Sequence, residues 1–226
     1  MNTTTCTHPD VLTRGVAEGW ADPEDDPTRI DWPARQAAAA IPFTVAGGRP
    51  VNPCASTGMR RGRNQLGRWG ENLMADALVT VTSRYLQSRY LLIAERGDGY
   101  GWAVPGGAIE PGETGLQAAI RELAEETALP VTPELCRTMP PRYVPDPRAS
   151  DEAWAVTIPV HIDLGRRDLV TYGLPHIAGG DDARRAEWVF APTYAVLVSQ
   201  LERRHAGGRL FPAHEAMLAE FLAGAL

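Results

Sequence analysis

The stretch that most constrains what this chain can fold into is residues 107–129, GAIEPGETGLQAAIRELAEETAL, where a loop punctuated by glycine and proline runs directly into an acidic amphipathic segment. Leu116, Ala119, Ile120 and Leu123 fall on one side of a 3.6-residue period, while Arg121, Glu122, Glu125 and Glu126 fall largely on the other. The spacing predicts a helix with one face committed to a core. Thr114 and Gln117 make a capping-box pattern, which satisfies backbone N–H groups orphaned at a helix start, and Pro130 marks the stop. On such a helix Glu122, Glu125 and Glu126 stand at i, i+3 and i+4, with side-chain bases roughly 5–6 Å apart. At an effective dielectric near 20 each close pair repels by about 3 kcal/mol, so the patch calls for cations. Ligands that are all oxygen suit Mg2+ or Mn2+ rather than zinc. A solvated acidic face has the same spacing, and the loop discriminates between the two readings. Gly106, Gly107 and Gly112 permit close backbone approach, and Pro105 and Pro111 stiffen the turns around them, as in a loop that wraps a phosphate.

Bulk composition narrows the function classes. With 226 residues, 44% of them hydrophobic, the chain can bury one large domain or one domain plus a small accessory unit. A net charge of −6 argues against nucleic-acid or membrane-surface binding by bulk electrostatics. Cys6, Cys54 and Cys136 form no CxxC pair, so neither a disulfide framework nor a zinc site is expected. The N-terminal residues lack the charged and apolar regions of an export signal, and no apolar run reaches the length of a membrane span. A cytoplasmic setting is the expectation.

Along the chain, residues 1–10 read as a disordered arm, 11–75 as an accessory region and 76–226 as the main domain. The Asp/Pro-rich segment 19–33 reads as a solvated loop, and residues 49–72 as an irregular basic Gly/Arg segment, either a substrate-facing loop or a linker. Alternating or β-branched runs predict strands at 77–84, 90–96, 102–104, 153–164 and 186–191, and helices are expected over 193–205 and 213–224. This order implies an α+β fold, a mixed sheet sandwiched between helices with a small N-terminal accessory region.

The organising stretch resembles the Nudix box, GX5EX7REUXEEXGU, through Gly107, Glu113, Arg121, Glu122, Leu123, Glu125, Glu126 and Leu129. The box glycine is replaced by Ala128, which predicts a different helix ending. The wider chain is similar to the Nudix branch that includes mitochondrial ADP-ribose pyrophosphatases and the domain of ADP-ribose-gated melastatin channels. The similarity lies in WADP (20–23), GRPVNP (48–53), LGRWGEN (66–72), WAVPGG (102–107), DPRASDEAW (146–154) and AGGDDARRAEWV (178–189). Pro145, sixteen residues after Leu129, resembles the proline marker of ADP-ribose-cleaving members.

The resemblance implies hydrolysis of ADP-ribose to AMP and ribose 5-phosphate with Mg2+ or Mn2+, by a monomer or homodimer acting on a small nucleotide. Nucleotide sugars, dinucleotide cofactors and dinucleoside polyphosphates are the alternative substrates, and a non-catalytic ADP-ribose sensor is the alternative class. It further implies Glu122 and Glu126 as principal metal ligands, with Glu125 as third ligand or water-positioning group. Gly107 contributes its carbonyl or close approach, and Glu113 holds Arg121. The general base is open among Glu122, Glu125, Asp151, Glu152, Asp181 and Asp182. Gly106, Arg68, Trp69, Asp146, Arg148, Asp151, Trp154 and Asp182 are the substrate-binding candidates, with Trp154 placed either on an adenine or in the core.

Overall fold

The computed structural model describes residues 5–180 and 183–226, and the chain divides into two compact units. The first is built from residues up to Leu73 together with Pro141–Thr157, and the second from Met74–Pro140 with Ile158–Leu226. The accessory unit is therefore not confined to residues 11–75. It recruits the later segment because Trp154 and Val156 complete an apolar cluster with Trp32, Phe43 and Trp69. Phe43 stands edge-on to Trp154 at 5.2 Å between ring centroids and to Trp32 at 6.1 Å, arrangements favoured by the ring quadrupoles.

Two expectations for the first unit are corrected. Of the supposed disordered arm, Thr5–Thr7 forms a strand parallel to Arg61–Asn64, and Pro9–Leu12 forms a short helix capped by the His8 side chain. The Asp/Pro-rich segment is only in part a solvated loop: Asp25 and Asp26 are exposed, but Asp22 is not. Asp22 is buried, accepts from the Trp69 backbone N–H at 2.9 Å and pairs with Arg35 at 2.6 Å. Within the basic segment Arg63 is interior: fully buried, it donates to the carbonyls of Asp22 and Gly67 and lies over the Trp69 ring. Burial lowers its pKa, and those carbonyls receive the charge that water would otherwise solvate.

In the second unit the main sheet is formed by Gly70–Ser83, Arg89–Arg96, Ala183–Phe190 and Ala153–Arg167, with the short strands Trp102–Ala103, Gly106–Ala108 and Cys136–Thr138 along it. The first and last-named long strands begin in the first unit's residues and continue into the second. Alternation divides the sheet side chains between two cores. Leu78, Leu91, Ile93 and Val189 pack with Leu197, Leu201, Met217, Leu218 and Phe221 of the helices Tyr194–Arg204 and Pro212–Leu222. Val79, Val81, Leu92 and Trp188 pack on the other face with Ala118, Ala119 and Leu123 of the helix Gly115–Thr127. Helices thus cover both faces, and among the described residues none is long and apolar enough to cross a membrane.

The helix Gly115–Thr127 begins with a capping box, in which the Gln117 N–H donates to Thr114 Oγ1 and the Thr114 N–H donates to Gln117 Oε1. Its ending departs from expectation. Ala128 adopts the left-handed conformation, φ 55° and ψ 20°, that the missing glycine would have taken. Tertiary bonds hold it there: the Ala178 N–H donates to the Thr127 carbonyl at 2.9 Å and the Gly180 N–H to the Glu126 carbonyl at 3.1 Å. These occupy carbonyls that a helix end leaves open. A left-handed alanine costs about 1–2 kcal/mol, partly offset by the greater unfolded-state freedom of glycine. Ala128→Gly should therefore raise the unfolding free energy by about 0.5–1 kcal/mol in a denaturant titration. An unchanged or lowered value would contradict that strain.

Candidate active site

The strand Gly106–Ala108 pairs antiparallel with Met74, Ala75 and Asp76, and this pairing dictates small residues. A Cβ at Gly106 would fall on the Ala75 carbonyl and the Asp76 carboxylate, and one at Gly107 would fall on the Glu122 carboxylate. Neither glycine is there for a positive φ; each is there for close approach, whereas Gly112, at φ +85°, supplies the turn.

Arg121 gathers the acidic residues. Its Nε and Nη2 make a fork with Glu113 at 3.0 and 2.9 Å, its Nη1 reaches Glu122 at 2.8 Å and Glu125 at 3.1 Å, and its Nη2 also donates to the Ala108 carbonyl. Bonds to Arg121 hold the Glu113 carboxyl below its ordinary range, and those same bonds push the guanidinium pKa upward. One cation thereby fixes the loop carbonyl, the loop carboxylate and two helix carboxylates. Glu125 keeps 46% of its side chain exposed, against 14% for Glu122.

Glu126 lies outside that network. Its Oε2 accepts from the Gly106 N–H at 3.3 Å. Burial first, then the charge of Glu122, pushes its pKa up to about 8, with Asp76 adding to the rise and Arg96 opposing it. Arg96 is held by Asp98 and lies over the Phe211 ring at 4.3 Å. Asp76 is itself buried and pairs with His214 at 3.3 Å. Sequence reading missed Asp76, Arg96 and His214, because nothing in local spacing brings residues of two strands and the last helix together.

The remaining candidates, apart from Asp181 and Asp182, lie in the first unit. Trp69 and Trp154 are 3% and 0% exposed within its aromatic cluster, so neither indole presents a face for a base to stack on. Trp154 is packed in the core, the second of the two placements expected for it. Arg68 is partly exposed, and its backbone N–H is taken by Asn72. Arg148 forks onto the buried Asp146, with bonds from 2.6 to 3.2 Å. Asp151 accepts from the Ser56 hydroxyl and from the N–H and hydroxyl of Thr57, pinning that loop. Glu152, 2% exposed and bound by Arg49, Arg61 and the Gly62 N–H, is closed to water as a base. Asp181 and Asp182 lie outside the described residues. A cavity of about 450 Å3 in this unit is lined by Ser56, Thr57, Asn64, Tyr143 and Asp146 among others.

A divalent cation fits the chemistry of the helix face. Among the described residues no three acidic, histidine or cysteine side chains already converge as a metal cage. Yet Glu126 is a buried carboxylate opposed by Glu122 and Asp76, and Gly107 leaves space where a Cβ would meet Glu122. Hard cations take oxygen donors through one or two carboxylates and complete their shell with water and phosphate.

The chain belongs to the Nudix hydrolase family, since the family model for the NUDIX domain matches residues 74–206. It is 34% identical over 190 residues to the "Transient receptor potential cation channel subfamily M member-like 2" of Nematostella vectensis, a match covering 71% of this chain and 12% of that protein. It is 31% identical over 179 residues to the mitochondrial ADP-ribose pyrophosphatase of Rattus norvegicus, covering 65% of this chain and 49% of the rat protein. Among solved structures, a bifunctional NMN adenylyltransferase/ADP ribose pyrophosphatase of Francisella tularensis, complexed with AMP and a Mn ion, matches with TM-score 0.53 and 26% identity. That match covers 70% of this chain and 43% of the Francisella chain. This chain therefore spans less than two thirds of each of the three.

Proposed function

We propose that this protein is a divalent-cation-dependent pyrophosphatase that hydrolyses ADP-ribose to AMP and ribose 5-phosphate. The observation that carries the reading is the helix face itself, where Glu126 is left uncompensated beside Glu122 and the Gly106–Gly107 backbone. Glu122 and Glu126 would hold Mg2+ or Mn2+, with the Gly107 carbonyl as a further donor. When bound, the cation polarises the phosphoryl group and offsets the charge of the pyrophosphate.

The chain's own residues do the rest. Arg121, tied to Glu113 and the Ala108 carbonyl, braces the loop against the helix so that the carboxylates keep their spacing. Glu125, the most open of the three helix carboxylates, would orient water and accept its proton. Water adds to one phosphorus, the bridging P–O bond breaks, and the two phosphates leave as monoesters. The choice of ADP-ribose is supported by the similarity to the rat ADP-ribose pyrophosphatase and to the bifunctional NMN adenylyltransferase/ADP ribose pyrophosphatase of Francisella.

Incubation with ADP-ribose and Mg2+ should release AMP and ribose 5-phosphate in equal amounts, and ADP-ribose should rank first by kcat/KM in a panel of nucleotide sugars, dinucleotide cofactors and dinucleoside polyphosphates. Absence of turnover with both Mg2+ and Mn2+ would sink the proposal. A different leading substrate would keep the bond type and replace the specificity.

A further inference from the structure

His214 and Asp76 form a buried pair behind the glycine loop, in a place the proposed chemistry does not use. Both are 5% exposed. His214 sits in the first turn of the helix Pro212–Leu222, with its ring edge-on to Phe211 at 5.2 Å. Its Nδ1 accepts from the Val104 N–H at 3.3 Å, which leaves the proton on Nε2, 3.3 Å from Asp76 Oδ1. The imidazole is thus fixed in one tautomer by bonds on both edges. Val104 lies two residues before Gly106, and the Asp76 carboxylate occupies the space a Cβ on Gly106 would need. Gly106 in turn donates its N–H to Glu126. A chain of contacts therefore runs from the last helix through His214, Asp76 and Gly106 to Glu126.

We infer that Asp76 and His214 are positioning residues for the cation site: His214 fixes Asp76 and the Val104 backbone, and Asp76 sets the Gly106 backbone whose N–H is bound to Glu126. The inference rests on the proposed cation-binding role of Glu122 and Glu126. Both side chains are closed off from solvent, and neither is assigned as a ligand. Groups that orient ligands from behind typically change metal affinity 10–100-fold when removed.

The test is Mn2+ uptake by the full-length protein without substrate, read from the electron paramagnetic resonance signal of free Mn2+, with the unfolding midpoint measured in parallel. Asp76→Asn keeps shape and removes charge; His214→Leu removes both hydrogen bonds; His214→Gln keeps a donor and an acceptor. Asp76→Asn and His214→Leu should weaken Mn2+ binding about 10-fold or more, His214→Gln should stay within about 2-fold of wild type, and KM at saturating Mn2+ should move by less than about 2-fold in all three. Folded Asp76→Asn protein with wild-type Mn2+ affinity overturns the inference, whatever His214→Leu does to folding. If the wild type itself takes up no Mn2+, the cation reading of the site fails first and the inference falls with it. Mn2+ uptake by the wild type with unaffected variants overturns the inference alone.

Discussion

Glu126→Gln is expected to lower turnover by at least about 10²-fold and, without divalent cation, to make the folded protein more stable than wild type above neutral pH. The rate loss follows from removing a charge that the proposed cation requires, with no change of shape. The stability gain follows from linkage. Burial and Glu122 raise the folded pKa of Glu126 from 4.5 to about 8, so the folded state binds the proton more tightly than the unfolded state does. Its contribution to stability is complete below about pH 4.5 and is lost as pH rises through about 8. Glutamine has no such loss. Denaturant midpoints compared between pH 5 and pH 8.5 should show wild type falling relative to Glu126→Gln, and added Mg2+ should restore wild type alone. Parallel pH curves for the two proteins would refute the uncompensated carboxylate, and near-wild-type turnover would refute its role in the reaction.

Trp154→Ala should cost about 3–5 kcal/mol of stability in the first unit, because it empties a fully enclosed site. The indole is 0% exposed and packs against Phe43, and its Nε1–H is buried without a hydrogen-bond partner. Trp154→Phe should be much milder: it gives up some volume but also removes that orphaned N–H, whose desolvation costs about 1–3 kcal/mol. Urea titration followed by tryptophan fluorescence checks both. A role in stacking on a base would show the reverse pattern, with KM for ADP-ribose rising in both variants and the unfolding midpoint holding.

The helix Gly115–Thr127 was legible almost to the residue because its signals are local: a Thr114–Gln117 cap, an apolar stripe and a proline after the stop. The strands at 77–84 and 90–96 were legible from alternation, whose two faces divide between two cores, but their order in the sheet was not. Where distant segments decide, local reading failed. Ala128 keeps a glycine-type cap because Ala178 and Gly180 bind the helix's last carbonyls, more than fifty residues away in sequence. Trp69 and Trp154 carry the same residue-type signal whether they stack on a ligand or fill a core, and only the recruitment of Pro141–Thr157 decides between these. Asp76 and His214 stand over a hundred residues apart with no spacing to connect them.

The discontinuity of the first unit also imposes an order of events during synthesis. Trp32, Phe43 and Trp69 emerge early, but the residues that close their cluster, Trp154 and Val156, follow only after the whole Met74–Pro140 segment. At about 5–20 residues per second, the stretch from Trp69 to Trp154 takes roughly 4–17 s. For that time the nascent chain carries three unsatisfied aromatic side chains, and the loop–helix segment that contains the glutamates has left the ribosome before its predecessor can finish folding.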